Sequence, residues 1–301
     1  MPVQLGIDAL LGEVPAVLRG KRVGLITNPT GVDGRLRPTV ELLRACADFQ
    51  LVALYGPEHG VRGNAQAGEF VDYFQDEHLG LPVFSLYGQA LKLPAAPLAD
   101  IDATMRSFDT QHAGKTVEHA MLRGVETLVF DLQDVGTRVY TYVATMAYAM
   151  QAAAEAGIPF VVLDRPNPIN GVHMEGPILE YPRHSSFIGL YPVPLRHGMT
   201  TGELARLFNA RFLARRVDLS VVPMRGWKRT DWYENTGLPW VTPSPNMPTY
   251  ETARVYPGGC LLEGTLASEG RGTTRPFEIF GAPWIDGHAL AKRISLRGAL
   301  L

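Results

Sequence analysis

The sequence predicts an α/β fold in which helices flank a mostly parallel sheet. Short apolar runs rich in β-branched residues alternate with helical patterns from Arg22 to Val222. Continuous apolar runs are typical of strands buried on both faces of a parallel sheet, and helices usually connect such strands. Three of the runs end in acidic loops, at the edge where parallel sheets bind their ligands.

The predicted strands are apolar, and turn residues follow them. After the first strand, for example, proline and glycine within Asn28–Gly31 favour a turn. The predicted strands are Arg22–Thr27, Leu51–Tyr55, Pro82–Leu86, Leu128–Phe130, Phe160–Leu163 and Val217–Val222.

The helices between these strands are predicted from their terminal residues. Pro38 suits the first turn of a helix, and Gly157 suits the position just after a helix end. Thr200 and Glu203 have the spacing of a capping box at a helix start. The predicted helices are Pro38–Ala47, Thr116–Arg123, Val139–Ala156 and Thr200–Ala214.

The chain changes character after residue 224. From Arg225 to Trp284 it is rich in Pro, Gly, Trp and Tyr, which predicts irregular structure laid over the edge of the sheet. We therefore expect one domain over residues 1–224 and the start of a smaller subdomain over residues 225–301.

The composition excludes several classes of partner and chemistry. A formal net charge of -2 gives no electrostatic reason to expect nucleic acid or an anionic membrane as partner. No apolar run approaches the roughly 20 residues that insertion across a membrane requires. The N-terminus lacks a secretion signal, so we expect a cytoplasmic protein, or one whose leader has been removed.

Neither a cofactor nor a metal is predicted. The sequence lacks a glycine-rich dinucleotide motif, a P-loop, a Gly-x-Ser-x-Gly motif and a His-Glu-x-x-His motif. The two cysteines, Cys46 and Cys260, are too few for a disulfide framework or a cysteine-based metal site, and we expect buried thiols.

The acidic loops suit acid/base chemistry on a polar, uncharged substrate. Glu58 stands between Pro57 and His59, and is interpreted as a general acid or base or, alternatively, as a turn carboxylate. Asp131 and Asp134 follow another strand, where one could bind substrate hydroxyls and the other could hold loop amides or pair with Arg138. Two further loop residues could bind substrate hydroxyls or simply form an Asx turn: Asp164 and Asn167.

A set of loop motifs, in this order over nearly the whole chain, resembles the DUF1343 family of NamZ-type exo-β-N-acetylmuramidases. The motifs are Gly24–Gly31, Gly56–Gly60, Asp131–Arg138, Tyr140–Tyr142, Leu163–Pro168, Arg196–Thr200, Pro243–Pro248, Glu263–Thr265 and Gly270–Phe277. The resemblance implies a Rossmann-like N-terminal part, a smaller C-terminal part and a cleft between them. It also implies an extracytoplasmic location, because family members commonly carry an export signal.

The resemblance implies hydrolysis that releases terminal N-acetylmuramic acid from the non-reducing end of peptidoglycan fragments. The substrates would be muropeptides or saccharides in which N-acetylmuramic acid precedes N-acetylglucosamine. Family members continue past the motif that ends at Trp284, so we expect the C-terminal subdomain to be incomplete here. The alternative is a non-catalytic protein that binds peptidoglycan sugars, or an inactive truncated homologue.

Glycoside hydrolysis needs a carboxylic acid that protonates the leaving oxygen and a second group that attacks or activates water. We expect Glu58 to be the acid, and Glu263 or Asp131 to be the second group, with Glu269 as a rival to Glu263. Arg138, beside Tyr140, is expected to bind the lactyl carboxylate of the sugar. The expected substrate-binding residues are His59, Asp134, Arg138, Tyr140, Asp164, Arg165, Asn167, His197, Asn246 and Arg275.

Overall fold

A computed structural model describes residues 2–69, 71–87 and 121–296. The strands in these ranges are β1 (Arg22–Thr27), β2 (Gln50–Gly56), β3 (Phe74–Asp76), β4 (Leu81–Ser85), β5 (Thr127–Asp131), β6 (Phe160–Leu163), β7 (Glu175–Ile178), β8 (Pro194–Arg196) and β9 (Leu219–Val222). The α-helices are α1 (Gly6–Gly12), α2 (Thr39–Arg44), α3 (Tyr142–Ala156), α4 (Thr201–Arg211), α5 (Tyr250–Gly259) and α6 (Gly287–Leu296). Two short 3₁₀ helices are also formed, Tyr233–Thr236 and Cys260–Gly264.

Seven of these strands form one sheet in the order β3-β4-β2-β1-β5-β6-β9. Every pairing is parallel except that of β3 with β4 at one edge, which confirms the predicted α/β class. The last residue of β1, Thr27, pairs with the last residue of β5, Asp131. The loops after β1, β2, β5 and β6 therefore leave the sheet at one edge.

Both faces of the sheet are covered. Val161 and Leu163 of β6 belong to a core cluster with residues of α1 and α2. Phe160 and Val162, on the opposite face, belong to a cluster with residues of α3 and α4. Because successive side chains of a strand point to opposite faces, burial on both sides explains why these strands are continuously apolar.

Two helix predictions need correction. Helix α3 begins at Tyr142 and not at Val139, because the Arg138 amide donates to the Leu195 carbonyl at 2.8 Å and draws the chain away from a helix. The stretch from Arg225 to Trp284 was predicted to be irregular but contains α5, whose start is capped by Thr249. The predicted helix Thr116–Arg123 falls mostly outside the described residues.

No helix in the described ranges has both the length and the apolar character that crossing a membrane requires.

The segment before α6 has an exposed apolar surface. Ile279, Phe280 and Trp284 are exposed, whereas Phe277 is buried in the larger core cluster.

Helix α1 provides a matched pair of glycines with which to test the packing of the sheet edge. A Cβ atom at Gly6 would lie 2.4 Å from the backbone nitrogen of Asp164, whereas nothing lies within 4 Å of one at Gly12. We predict that Gly6→Ala lowers the free energy of unfolding by about 1–3 kcal/mol through overpacking. Gly12→Ala should leave it unchanged or raise it, and urea denaturation of both variants measures the difference. Equal changes in the free energy of unfolding at the two positions would contradict the close approach of Gly6 to the backbone of Asp164.

Candidate active site

An open cleft of about 720 Å³ lies beside the loop that follows β2. It combines residues from three separate parts of the chain. Two of these residues, Glu263 and Glu269, carry carboxylates. The residues that line the cleft are Gln66, Ala67, Pro245, Asn246, Glu263, Glu269, Arg271, Gly272 and Thr273.

Glu58 borders this cleft on the same loop as Gln66 and Ala67. The Thr141 hydroxyl donates to Glu58 Oε2 at 2.8 Å, and the Gly68 amide donates to Oε1 at 3.2 Å. Burial and the adjacent negative charge of Glu58 raise the pKa of Tyr87. Glu58 is therefore held from three sides, with both carboxylate oxygens acting as acceptors.

His59 supports the loop from inside. Its ring is buried, and Nδ1 lies 2.8 Å from the Ala65 carbonyl, which can only accept, so Nδ1 carries the proton. Its φ of 73° is in the left-handed region, which is costly for a residue with a side chain and persists only where the surroundings impose it. The structure thus places His59 behind Glu58 rather than on the cleft surface.

Glu263 combines partial exposure with a perturbed pKa. Its side chain keeps 38% of its surface exposed, and Arg271 Nη2 lies 2.9 Å from its Oε1. Burial raises the pKa of Glu263, the negative charges of Glu269 and Glu58 raise it further, and Arg271 opposes them. Glu58, which is 205 positions away in the sequence, is thus one of the charges that act on Glu263, and it contributes less than Glu269.

Asp131 and Arg165 form a buried ion pair. Arg165 donates from Nε to Asp131 Oδ1 at 2.6 Å and from Nη2 to Oδ2 at 2.9 Å. The Thr39 hydroxyl also donates to Asp131 Oδ2, and Arg165 Nη2 reaches the Val32 carbonyl. Both charged side chains are almost fully enclosed, so the structure assigns them to the interior and not to the cleft.

Asp134 and His197 form a second buried pair. Asp134 Oδ2 accepts from the Gly136 amide at 2.7 Å and lies 3.2 Å from His197 Nε2. His197 Nδ1 accepts from the Met199 amide, so the proton of a neutral ring lies on Nε2 and is donated to Asp134. These contacts connect the loop after β5 to the segment that precedes α4.

Asp164 and Asn167 both form hydrogen bonds within the protein. Asp164 Oδ1 accepts from the Gly202 amide at 2.8 Å and Oδ2 from the Thr200 hydroxyl at 3.0 Å, while burial raises its pKa to about 6. Asn167 donates to the Met199 carbonyl and accepts from the Ile169 amide. The Asx-turn alternative describes Asn167, whereas Asp164 connects the loop after β6 to the start of α4.

The remaining predicted residues differ in their positions. Asn246 lines the cleft. Arg138 Nη1 donates to the Pro177 and Val193 carbonyls, not to an aspartate, and its contact with a lactyl carboxylate stays a prediction. Tyr140 is buried beside Tyr142, and Arg275 is exposed and paired with Glu278.

Sequence reasoning missed three groups that interact with Glu58 or Glu263. Thr141 was quoted only as part of a motif, and its position directly before α3 is what brings it to Glu58. Tyr87 follows β4, another parallel strand. Because ligands bind beyond the carboxyl ends of parallel strands, its position could have been found from the sequence. Arg271 has no local signal, because its importance comes from pairing with both Glu263 and Glu269. In the described ranges, no three His, Cys, Asp or Glu side chains are grouped to hold a metal ion.

A known protein family matches most of the chain. Residues 23–117 and 105–251 match the model described as "Exo-beta-N-acetylmuramidase NamZ, N-terminal". The chain belongs to the NamZ family. Residues 254–299 also match the model of the NamZ C-terminal part.

A curated NamZ relative matches almost the whole chain. The peptidoglycan beta-N-acetylmuramidase NamZ of Bacillus subtilis (strain 168) is 54% identical over 293 residues, which is 97% of this chain. The chain spans 64% of the length of that relative.

Two crystal structures of DUF1343 family proteins from Bacteroides fragilis NCTC 9343 share the fold. One superimposes with a TM-score of 0.83 at 40% identity, covering 99% of this chain and 70% of the other. The second has a TM-score of 0.72 at 34% identity and covers 94% of this chain and 68% of the other.

The buried pair predicts that Asp131 matters for stability. Asp131→Asn should lower the free energy of unfolding by about 3–5 kcal/mol, because it leaves the Arg165 charge buried without its partner. Glu126→Gln is the matched control, since it breaks an exposed pair with Arg22 and should change stability little. Urea denaturation compares the two, and an Asp131→Asn variant as stable as the parent would contradict the structural role.

Proposed function

We propose that this chain is a glycosidase that releases N-acetylmuramic acid from the non-reducing end of peptidoglycan-derived saccharides. The observation that carries the proposal is the open cleft, which Glu263 lines and beside which Glu58 accepts a hydrogen bond from the Gly68 amide. The name and 54% identity of the Bacillus subtilis relative support the substrate class. A pair of carboxylates is the machinery that hydrolysis of a glycosidic bond requires.

The environments of the two carboxylates suggest their roles. The raised pKa of Glu263 favours its protonated form, which suits the acid that protonates the leaving oxygen. Glu58 accepts hydrogen bonds at both oxygens, which suits the carboxylate that attacks the sugar or activates water. This reverses the assignment that the sequence favoured, in which Glu58 was the acid.

Asn246 and the pair Glu269 and Arg271 complete the proposed site. Asn246 offers amide donor and acceptor groups to sugar hydroxyls from the wall of the cleft. Arg271 lies 2.5 Å from Glu269 and 2.9 Å from Glu263, so it balances the charge of the two acids. We propose that Glu269 and Arg271 together set the protonation of Glu263 during turnover.

Two substrates that differ in leaving group separate the two roles. A saccharide leaving group needs protonation, whereas a nitrophenolate group leaves readily without it. Glu263→Gln should therefore lose on the order of 10²–10⁴ in rate on the disaccharide of N-acetylmuramic acid and N-acetylglucosamine. Its loss on the 4-nitrophenyl glycoside of N-acetylmuramic acid should be far smaller, while Glu58→Gln should lose activity on both substrates.

The matched control is Glu180→Gln, which removes an exposed carboxylate with no place at the cleft. It should keep the parent's rates on both substrates. If Glu58→Gln cleaves both within a few-fold of the parent, the catalytic pair is wrong. A parent chain that binds the disaccharide but never cleaves it would favour the sugar-binding alternative.

The pH dependence of kcat provides an independent prediction, in which two variants shift the profile in opposite directions. An acid catalyst works only when protonated, so kcat should fall as pH rises through the pKa of Glu263. Arg271→Gln removes the charge that lowers this pKa and should move the alkaline limb to higher pH. Glu269→Gln removes a charge that raises it and should move that limb to lower pH. Shifts in the same direction would contradict Glu263 as the acid.

A further inference from the structure

A second cavity, of about 260 Å³, lies at the opposite end of α3 from the candidate active site. Thr141, which contacts Glu58, directly precedes α3, and Glu155 is next to its last residue. At 1.5 Å per residue the two positions are about 21 Å apart along the helix. The cavity is lined by Tyr148, Gln151, Glu155, Tyr181, Ser185, Leu190, Tyr191, Phe212, Ala214 and Arg215.

Aromatic rings form most of the apolar lining. Tyr191 and Phe212 are stacked with ring centroids 4.8 Å apart, and Tyr181 lies 6.2 Å from each of them. Tyr181 is 48% exposed, so part of its ring is open to a ligand. The Gln151 amide donates to the Tyr191 hydroxyl and fixes that ring in place.

Glu155 brings an unsatisfied carboxylate oxygen to this aromatic lining. Its Oε2 atom is buried and has no hydrogen-bond partner among the described residues. Burial raises the pKa of Glu155, and the charge of Arg215 partly opposes that effect. No ion pair joins the two side chains in the part of the chain that the structure describes. A buried acceptor without a donor is rare in folded proteins and calls for an explanation.

We propose that this cavity binds an organic ammonium group, either a primary amine or a methylated ammonium, as the ion partner of Glu155. The face of an aromatic ring attracts a cation, and a cage of aromatic rings is a known arrangement for ammonium ligands. A bound cation would bring a positive charge to the carboxylate, and a primary ammonium would also supply the missing donor. A neutral sugar could supply the donor but not the charge.

The volume limits the size of the ligand. Pockets for drug-sized molecules are about 300–1,000 Å³, so this cavity suits a smaller group such as the side chain of a diamino acid. The site does not depend on the proposed glycosidase activity, and its test uses binding as the readout.

Calorimetric titration of the whole chain tests the proposal with n-butylammonium and tetramethylammonium as probes and n-butanol as the neutral counterpart. Both cations should bind saturably, and n-butanol at least tenfold more weakly. Glu155→Gln should weaken binding of both cations by at least tenfold, since it keeps the shape and removes the charge. Glu180→Gln, the control at an exposed carboxylate, should bind like the parent.

Arg215→Ala provides a change in the opposite direction. It removes a cation that competes for Glu155, so binding of n-butylammonium should become tighter.

N-acetyl-lysine methylamide distinguishes a peptide side chain from a free amine as the source of the ammonium group. Circular dichroism confirms that each variant is folded. Equal affinity for n-butanol, no saturable binding of either cation, or unchanged binding by a folded Glu155→Gln variant would overturn the proposal.

Discussion

The ion pair between Asp131 and Arg165 holds together the edge of the sheet on which the candidate site is built. Asp131 is the last residue of β5, and Arg165 follows β6 by two positions. The same pair binds the Thr39 hydroxyl at the start of α2 and the Val32 carbonyl in the loop after β1. Two charges in a nearly dry interior are tolerable only when each satisfies the other. The pair therefore fixes four segments relative to one another: the end of β5, the segment after β6, the start of α2 and the loop after β1.

This constraint divides the acids of the edge into two groups. Asp131 ends a strand and Asp164 follows one directly, so both are too close to the sheet to reach solvent, and both bind neighbouring groups. Glu58 lies two residues beyond β2, where the chain is turned by Pro57 and by the left-handed backbone of His59. The carboxylates at or directly after a strand end, Asp131 and Asp164, thus hold the loops together. Glu58, which lies further from its strand, borders the cleft. The aspartates position the loops, and Glu58 and Glu263 are the acids for which we propose a catalytic role.

The fold could be predicted from sequence because it depends on local patterns. Continuous apolar runs identified the strands, and Thr200 with Glu203 identified the start of α4, where both capping hydrogen bonds form. Long-range pairing could not be predicted in this way. The sequence offered Arg138 as a partner for an aspartate, but Arg165 takes that position. Likewise no spacing rule brings Glu263 towards Glu58. Helix α5 was missed because Pro257 lies inside it and the surrounding composition is typical of loops.

The central claim is that Glu58 and Glu263 flank the bond that is cleaved, while the aspartates of the edge stay buried behind them. A crystal structure of the Glu58→Gln variant with the disaccharide of N-acetylmuramic acid and N-acetylglucosamine tests this claim most directly. The account predicts that the glycosidic oxygen lies within hydrogen-bond distance of Glu263, that the substituted side chain at position 58 faces the N-acetylmuramic acid ring, and that the pair Asp131 and Arg165 is intact. A disaccharide bound away from both of these positions, or in contact with Asp131 after its pair with Arg165 has opened, would contradict the account.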